Sequence, residues 1–272
     1  MDLKELGRTS AEVPAIGMGT WGIGGYSFPD TTNDDEAIVA LRRGIELGMY
    51  LIDTAEMYGA GHAEEVVGEA IKPFSREQVF LVSKVLPENL HYDDVIKAAE
   101  NSLRRLQTDF MDLYLVHYPN PEIPLKETME AMEELVERNL MRFIGVSNFD
   151  VSQMEEARSC SKSNIVVNQV EYSLLERSIE TDVLPYCVQQ QMTLMAYTPL
   201  AKGRLAKNQF LAGIGRKYEK TAAQVALNWL IARENVITIP KAISIKHLRE
   251  NTGAMGWRLS TDDRQRISSY FR

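Results

Sequence analysis

Val79-Phe80-Leu81-Val82-Ser83-Lys84 is apolar on both side-chain parities until its last two residues, which are polar. Successive residues of a strand point to opposite faces, so such a run reads as a strand covered on both sides, the habit of a parallel sheet. Seven more runs of this kind are spaced along the chain, at residues 15–19, 49–53, 111–117, 142–147, 165–171, 193–197 and 236–240. The stretches between them have helical periodicity. Residues 94–106 place Val95, Ala99, Leu103 and Leu106 on one face, and 63–71 do the same with Ala63, Val66, Val67, Ala70 and Ile71. Gly48 is a natural stop for a helix ending at Leu47. Asp150 with Gln153, and Ser260 with Asp263, have the spacing of an N-cap and its box partner. Ahead of the first run, residues 3–6 and 12–14 predict a hairpin across Gly7-Arg8-Thr9-Ser10. Eight strands alternating with helices in about 250 residues predict an α/β fold. The expected form is a (β/α)8 TIM barrel with an N-terminal β-hairpin and a C-terminal extra helix. No linker or shift of composition divides the chain, so residues 1–272 are expected to form a single catalytic and cofactor-binding domain.

Composition narrows the function. A net charge of −8 argues against nucleic acid or an anionic membrane surface as partner. Cys160 and Cys187 have neither metal nor CxxC spacing and suit a reduced, cytoplasmic setting. The first residues lack the apolar core of a signal peptide, and no segment has the roughly 18 apolar residues of a membrane span. Nothing in the sequence sets the oligomeric state, and a monomer is compatible with it.

Gly17-Met18-Gly19-Thr20-Trp21-Gly22 matches GxGxxG after a candidate strand. The dinucleotide fingerprint requires a helix opening at the third glycine. Ile23-Gly24-Gly25-Tyr26-Ser27-Phe28-Pro29 follows instead, so a glycine-rich turn is expected, and any nicotinamide cofactor must bind by another scaffold.

In a barrel the C-terminal strand ends share one mouth. The polar residues at those ends are Asp53, Lys84, His117, Ser147, Asn148, Gln169, Tyr197 and Lys241, with Tyr58 on the loop after Asp53. Singly, each has a plain structural explanation: a helix cap, a solvated lysine, a buried histidine, a rim aromatic. An acid, a lysine, a histidine and a phenol on neighbouring strand ends together point to a tuned proton donor. A free tyrosine has a pKa of about 10, and a nearby ammonium lowers it. Lys84 can play that part, with Asp53 as its partner; His117 can donate a hydrogen bond to an oxygen gaining charge. This set suits carbonyl reduction, with Tyr58 protonating oxygen. Competing chemistries fit less well. His62, Glu64 and Glu65 lack metal-ligand spacing, and no metal is expected. A glycosidase needs two carboxylates across the mouth, and no GxSxG elbow is present.

These residues resemble the aldo-keto reductase family over essentially the whole chain. The resemblance is carried by Gly19-Thr20-Trp21, Asp53-Thr54-Ala55 with Tyr58, Ser83-Lys84, Leu115-Val116-His117, Gly145-Val146-Ser147-Asn148-Phe149, Asn168-Gln169-Val170-Glu171-Tyr172, Ala196-Tyr197-Thr198-Pro199-Leu200 and Ile239-Pro240-Lys241, in the family's order. It implies an NAD(P)H-dependent reductase of small aldehydes or activated ketones, with Tyr58 as proton donor, Lys84 and Asp53 tuning it, and His117 orienting the carbonyl. It implies that Tyr197 stacks on the nicotinamide while Ser147, Asn148 and Gln169 hold its carboxamide. Gly19, Thr20, Trp21, Asp53, Pro199, Leu200, Ile239, Lys241, Ala242, His247, Glu250 and Asn251 complete the expected cofactor contacts. Trp21, Met57, Tyr58, His117 and Tyr118 would line the substrate pocket. Lys241 favours NADP(H). The family often has Ser or Thr at Ala242 and Arg at His247, so NAD is expected as a second cofactor. The short segment 201–209 implies an open pocket. The alternative from another class is a nicotinamide-binding regulatory or redox-sensing barrel with little turnover.

Overall fold

The computed structural model describes residues 2–272. The hairpin is formed by β1 (Leu3–Glu5) and β2 (Glu12–Pro14), antiparallel with Lys4 opposite Val13. Eight parallel strands follow, each bonded to the next in sequence order. They are β3 (Met18–Gly19), β4 (Leu51–Asp53), β5 (Phe80–Val85), β6 (Met111–Val116), β7 (Met141–Ser147), β8 (Ile165–Glu171), β9 (Thr193–Tyr197) and β10 (Val236–Thr238). The helices that return the chain from strand to strand are α1 (Asp34–Glu46), α2 (His62–Ile71), α3 (Tyr92–Leu106), α4 (Leu125–Glu137), α5 (Val151–Ser159) and α6 (Val183–Gln189). Two helices, α7 (Gln209–Gly215) and α8 (Ala222–Ile231), follow β9; α9 (Ile245–Thr252) follows β10, and α10 (Thr261–Tyr270) is the extra C-terminal helix. Asp150 accepts from the Gln153 amide and Ser260 from that of Asp263, as the cap spacing predicts.

The sheet closes through a short seam. Gly17 N donates to Thr238 O (2.8 Å), Thr238 N to Ala15 O (3.0 Å), and Ile16 bridges Thr238 in parallel. The expected strand at 15–19 therefore contributes only Met18 and Gly19 to a ladder with β4. The backbones are too close here for side chains. A Cβ on Gly17 would meet Leu51 Cδ2 at 2.7 Å, and one on Gly19 would meet Ile239 O at 2.6 Å. Glycine is what this closure needs, and that explains the GxGxxG match. No helix opens at Gly22; a loop runs to α1.

Strand parity separates two cores. Leu51, Phe80, Val82, Leu113, Leu115, Val167, Met195, Ile237 and Ile239 cluster inside the barrel, joined by Leu6 and Val13 of the hairpin region, which plugs its N-terminal end. The opposite parity, including Ile52, Leu81, Tyr114, Ile144 and Leu194, packs against the helices. Following the interior parity upward gives Asp53 after Leu51, Lys84 after Val82, His117 after Leu115, Gln169 after Val167 and Tyr197 after Met195. The apolar interior thus ends in a polar layer at the C-terminal mouth. Among the described residues no helix is long and apolar enough to cross a membrane, and no cluster could hold a metal ion.

Candidate active site

Lys84 is fully buried, and its ammonium has three kinds of partner. It lies 2.8 Å from Asp53 Oδ1 and 2.9 Å from Oδ2, donates to Thr54 O at 2.8 Å, and reaches Tyr58 Oη at 3.2 Å. Gln169 Nε2 donates to Asp53 Oδ1 at 2.7 Å from across the barrel. A buried charge is stable only when paired and bonded in this way. Burial opposes the Lys84 charge, but Asp53 and Tyr58 outweigh it, and the ammonium's pKa is raised.

Lys84 lowers the Tyr58 pKa as expected, but it does not set the net direction. Burial raises it, and although Lys84 lowers it, the net direction is up. The physical reason is desolvation: the phenol is among the buried residues, where a phenolate loses its water. Tyr58 is thus held as a neutral O–H, the state a proton donor starts from, beside an ammonium able to stabilise the anion left behind.

His117 is buried, with its ring between Tyr58 (centroids 5.7 Å apart) and Tyr118 (5.1 Å, stacked). Burial, reinforced by the Lys84 charge, pulls its pKa down to about 3, so the imidazole is neutral at physiological pH. Its Nδ1 is buried without a partner. A neutral ring at the mouth fits orientation of a carbonyl oxygen better than the part of a charged acid.

Aromatic residues form the rim. Trp21 lies 4.9 Å from Tyr58 and 5.4 Å from Tyr26, edge-on to each. Trp21 is 48% exposed and Tyr118 41%, so the mouth is open. Met57 packs beside Tyr58.

The expected nicotinamide group also comes together. Tyr197 donates to Asn148 Oδ1 at 2.9 Å, which fixes its ring. Asn148, left-handed at φ 61, donates from Nδ2 to His117 O and Ser147 Oγ, each at 3.0 Å. Ser147 donates to Gln169 O at 2.9 Å. Thr20 donates from its amide and its hydroxyl to Asp53 O, both at 3.0 Å, tying Gly19, Thr20 and Trp21 to the same layer. Pro199 and Leu200 sit between the left-handed residues Thr198 and Ala201 (φ 53 and 48).

The remaining expected contacts lie apart, past β10. Ile239 faces the barrel interior. Lys241 and His247 are exposed, Ala242 and Glu250 half-buried, and Asn251 buried. No carboxylate lies within ion-pair distance of Lys241, Lys246 or Arg249 among the described residues, although the chain is acidic overall. Ser244 caps α9 by accepting from His247 N. Unpaired cations beside a helix N-terminus are a donor set suited to phosphate. With the half-exposed Tyr197 ring, this fits a phosphorylated dinucleotide laid from the mouth to α9.

Two features were not read from the sequence. Ser83 has the opposite parity to Lys84 and faces the helices, where it donates to Glu64. Gln169 carries Asp53; its place on the interior parity of β8 was the available signal.

Comparison with known proteins agrees with this geometry. Residues 15–271 match the model of the aldo/keto reductase family. The methylglyoxal reductase YeaE of Escherichia coli K12 is 46% identical over 92% of this chain and 88% of its own length. Among solved structures, the thermostable aldo-keto reductase Tm1743, crystallised with the inhibitor epalrestat, superposes with a TM-score of 0.96 at 48% identity, covering 99% of each chain. An aldo/keto reductase of Klebsiella pneumoniae in complex with NADP and acetate gives 0.91 at 40% identity, over 99% of this chain and 95% of that one.

Proposed function

This chain belongs to the aldo-keto reductase family and is an NADP(H)-dependent carbonyl reductase, and we propose that Tyr58 is its proton donor. The observation that carries the assignment is the buried Lys84 ammonium 3.2 Å from the Tyr58 oxygen, with Asp53 behind it.

When bound, the reduced nicotinamide supplies the hydride that reduces the carbonyl carbon. Tyr58 gives its proton to the carbonyl oxygen as negative charge develops there. Lys84 stabilises the phenolate that remains, and Asp53, bonded to Gln169, keeps Lys84 charged and in place. Neutral His117 orients the carbonyl oxygen without competing as an acid. Trp21, Met57 and Tyr118 pack on the rest of the substrate.

The open aromatic mouth suits small, reactive carbonyls, namely aldehydes and α-ketoaldehydes such as methylglyoxal. Tyr197, Ser147, Asn148 and Gln169 hold the nicotinamide end, and Lys241 the 2′-phosphate. Ala242 and His247 leave that phosphate without a bidentate arginine at those positions, so NADH is used as a second, poorer cofactor. Residues 1–272 work as one domain, with the free Cys160 and Cys187 suited to the reducing cytoplasm. The test is oxidation of NADPH with methylglyoxal. Tyr58→Phe should lower kcat about 100- to 10,000-fold. Undiminished turnover in that variant would remove Tyr58 from the mechanism and favour another acid.

A further inference from the structure

The loop that carries Tyr58 has an unfavourable local conformation. Gly59, Ala60 and Gly61 are consecutively left-handed, at φ 58, 53 and 94. An alanine there costs roughly 1 kcal/mol or more, so such a stretch persists only where its surroundings determine it. The outside hold begins one residue before Met57, at Glu56. Its carboxylate accepts from Leu86 N at 2.6 Å and Asn89 Nδ2 at 3.1 Å, just past the end of β5. Its own amide donates to Lys84 O at 3.4 Å. The Glu56 side chain is only 9% exposed, and burial raises its pKa, so this carboxylate is not there to be solvated.

Arg105 of α3 completes the arrangement. It lies 4.0 Å from Glu56 and donates to the buried Glu64 at 2.6 Å, and Glu64 in turn accepts from Ser83. Ser83 is the outward-facing neighbour of Lys84. A Cβ on Gly61 would meet Arg105 Cδ at 2.7 Å, so the guanidinium packs directly under the Tyr58 loop. Glu56–Arg105–Glu64–Ser83 is thus a bracket on the outer face of β4 and β5, joining the segment that bears the phenol to the strand that bears the ammonium.

We propose that Glu56, backed by Arg105, is a positioning residue that sets the Tyr58–Lys84 distance and thereby the strength of the proton donor. This rests on Tyr58 being the acid. Glu56 touches no reacting atom and acts through the loop. If it is lost, Gly59 N still holds Tyr26 O at 2.7 Å but the tie to the end of β5 is gone, so the phenol moves away from Lys84, which weakens proton transfer without removing any cofactor contact.

A double-mutant cycle on single-turnover reduction tests this. Glu56→Ala should lower the rate about 10- to 100-fold, the scale of a small misplacement of a reacting group, with KM for NADPH unchanged. Glu56→Gln keeps an acceptor for Leu86 and Asn89 and should retain most of the rate. In a Tyr58→Phe background Glu56→Ala should have no further effect, because no phenol remains to be misplaced. An equal fold-loss in both backgrounds, or a wild-type rate in Glu56→Ala, overturns the positioning role and leaves the acid assignment standing. A wild-type rate in Tyr58→Phe alone overturns both. If Glu56→Ala does not fold, judged by circular dichroism, Asn89→Ala replaces it. That variant should give a smaller loss that again vanishes with Tyr58→Phe, and a loss persisting there overturns the proposal.

Discussion

The two ends of the barrel each carry a lysine held by several partners (half-buried Lys4 at one, buried Lys84 at the other) and a buried aspartate, and they use them differently. At the N-terminal end Lys4 donates to the carbonyls of Ile231 (2.8 Å), Val236 (2.7 Å) and Arg233, closing the end of α8 and the start of β10. Asp112 accepts from Arg76 (2.7 Å), Arg142 (2.6 Å) and Leu81 N (2.9 Å). None of these carboxylate or ammonium atoms is left over. At the C-terminal end Lys84 and Asp53 face one another, and the same ammonium reaches the Tyr58 oxygen at 3.2 Å. Lys4 hydrogen-bonds only to carbonyls, and burial, with the Arg258 charge, lowers its pKa to about 8 against the smaller pull of Asp2 and Glu234; Lys84 bonds a full carboxylate and its pKa is raised. Buried charge alone therefore does not mark the site. Charge aimed at a phenol, beside an open aromatic mouth, does.

The largest break in this comparison should come from Lys84→Met. It removes the charge beside Tyr58 and should lower kcat per folded molecule about 100- to 1000-fold, read by steady-state NADPH oxidation, and it should also cost stability because Asp53 is left buried without its cation. Asp112→Ala should touch stability alone. Removing one side of a buried pair costs about 3 kcal/mol of stability by denaturant unfolding, while kcat per folded molecule is unchanged. A matching fall in kcat would erase the distinction between the ends. Lys4→Met, which leaves carbonyls of Ile231, Arg233 and Val236 to find other donors, should cost about 1–3 kcal/mol, again without change in kcat. The smallest effect should be at His117. With its folded pKa about 3, it should add no limb to the kcat/KM profile between about pH 5 and 8. The unfolded chain takes up a proton near pH 6.5 that the folded one refuses, so stability should fall as pH drops below that value. A limb near 6.5 that disappears in His117→Gln would show the ring charging in the working enzyme.

Much of this was legible in the sequence, for identifiable reasons. Runs such as Phe80–Val82 are apolar on both parities because helices and barrel interior cover both faces of the strand, and the polar residue that ends each interior parity marks the mouth. Asp53, Lys84, His117, Gln169 and Tyr197 were found that way. Boundaries at the seam were not, because residues 15–17 bond to Thr238, a partner no local pattern announces. The lowering of the Tyr58 pKa by Lys84 is legible because that charge is visible in sequence; the larger opposing effect, loss of water around the phenol, is not. Glu56 and Arg105 belong to segments far apart in the chain, and only the packing of α3 under the Tyr58 loop brings them together.

The seam at Thr238 also has a temporal consequence. Its partners, residues 15–17, are made before the strands β4 to β9, and residues 236–238 after them. A nascent chain can build the strands bearing Asp53, Lys84 and His117 while still attached to the ribosome, but it holds them in an open, curling sheet with one exposed edge at β3 and another at the latest strand to emerge. Closing the ring is a long-range event that carries its full loop-closure entropy before any contact rewards it. Chains ending before β10 should therefore be aggregation-prone and hold no cofactor, and the last strand of the ring to be made is the one that completes the site.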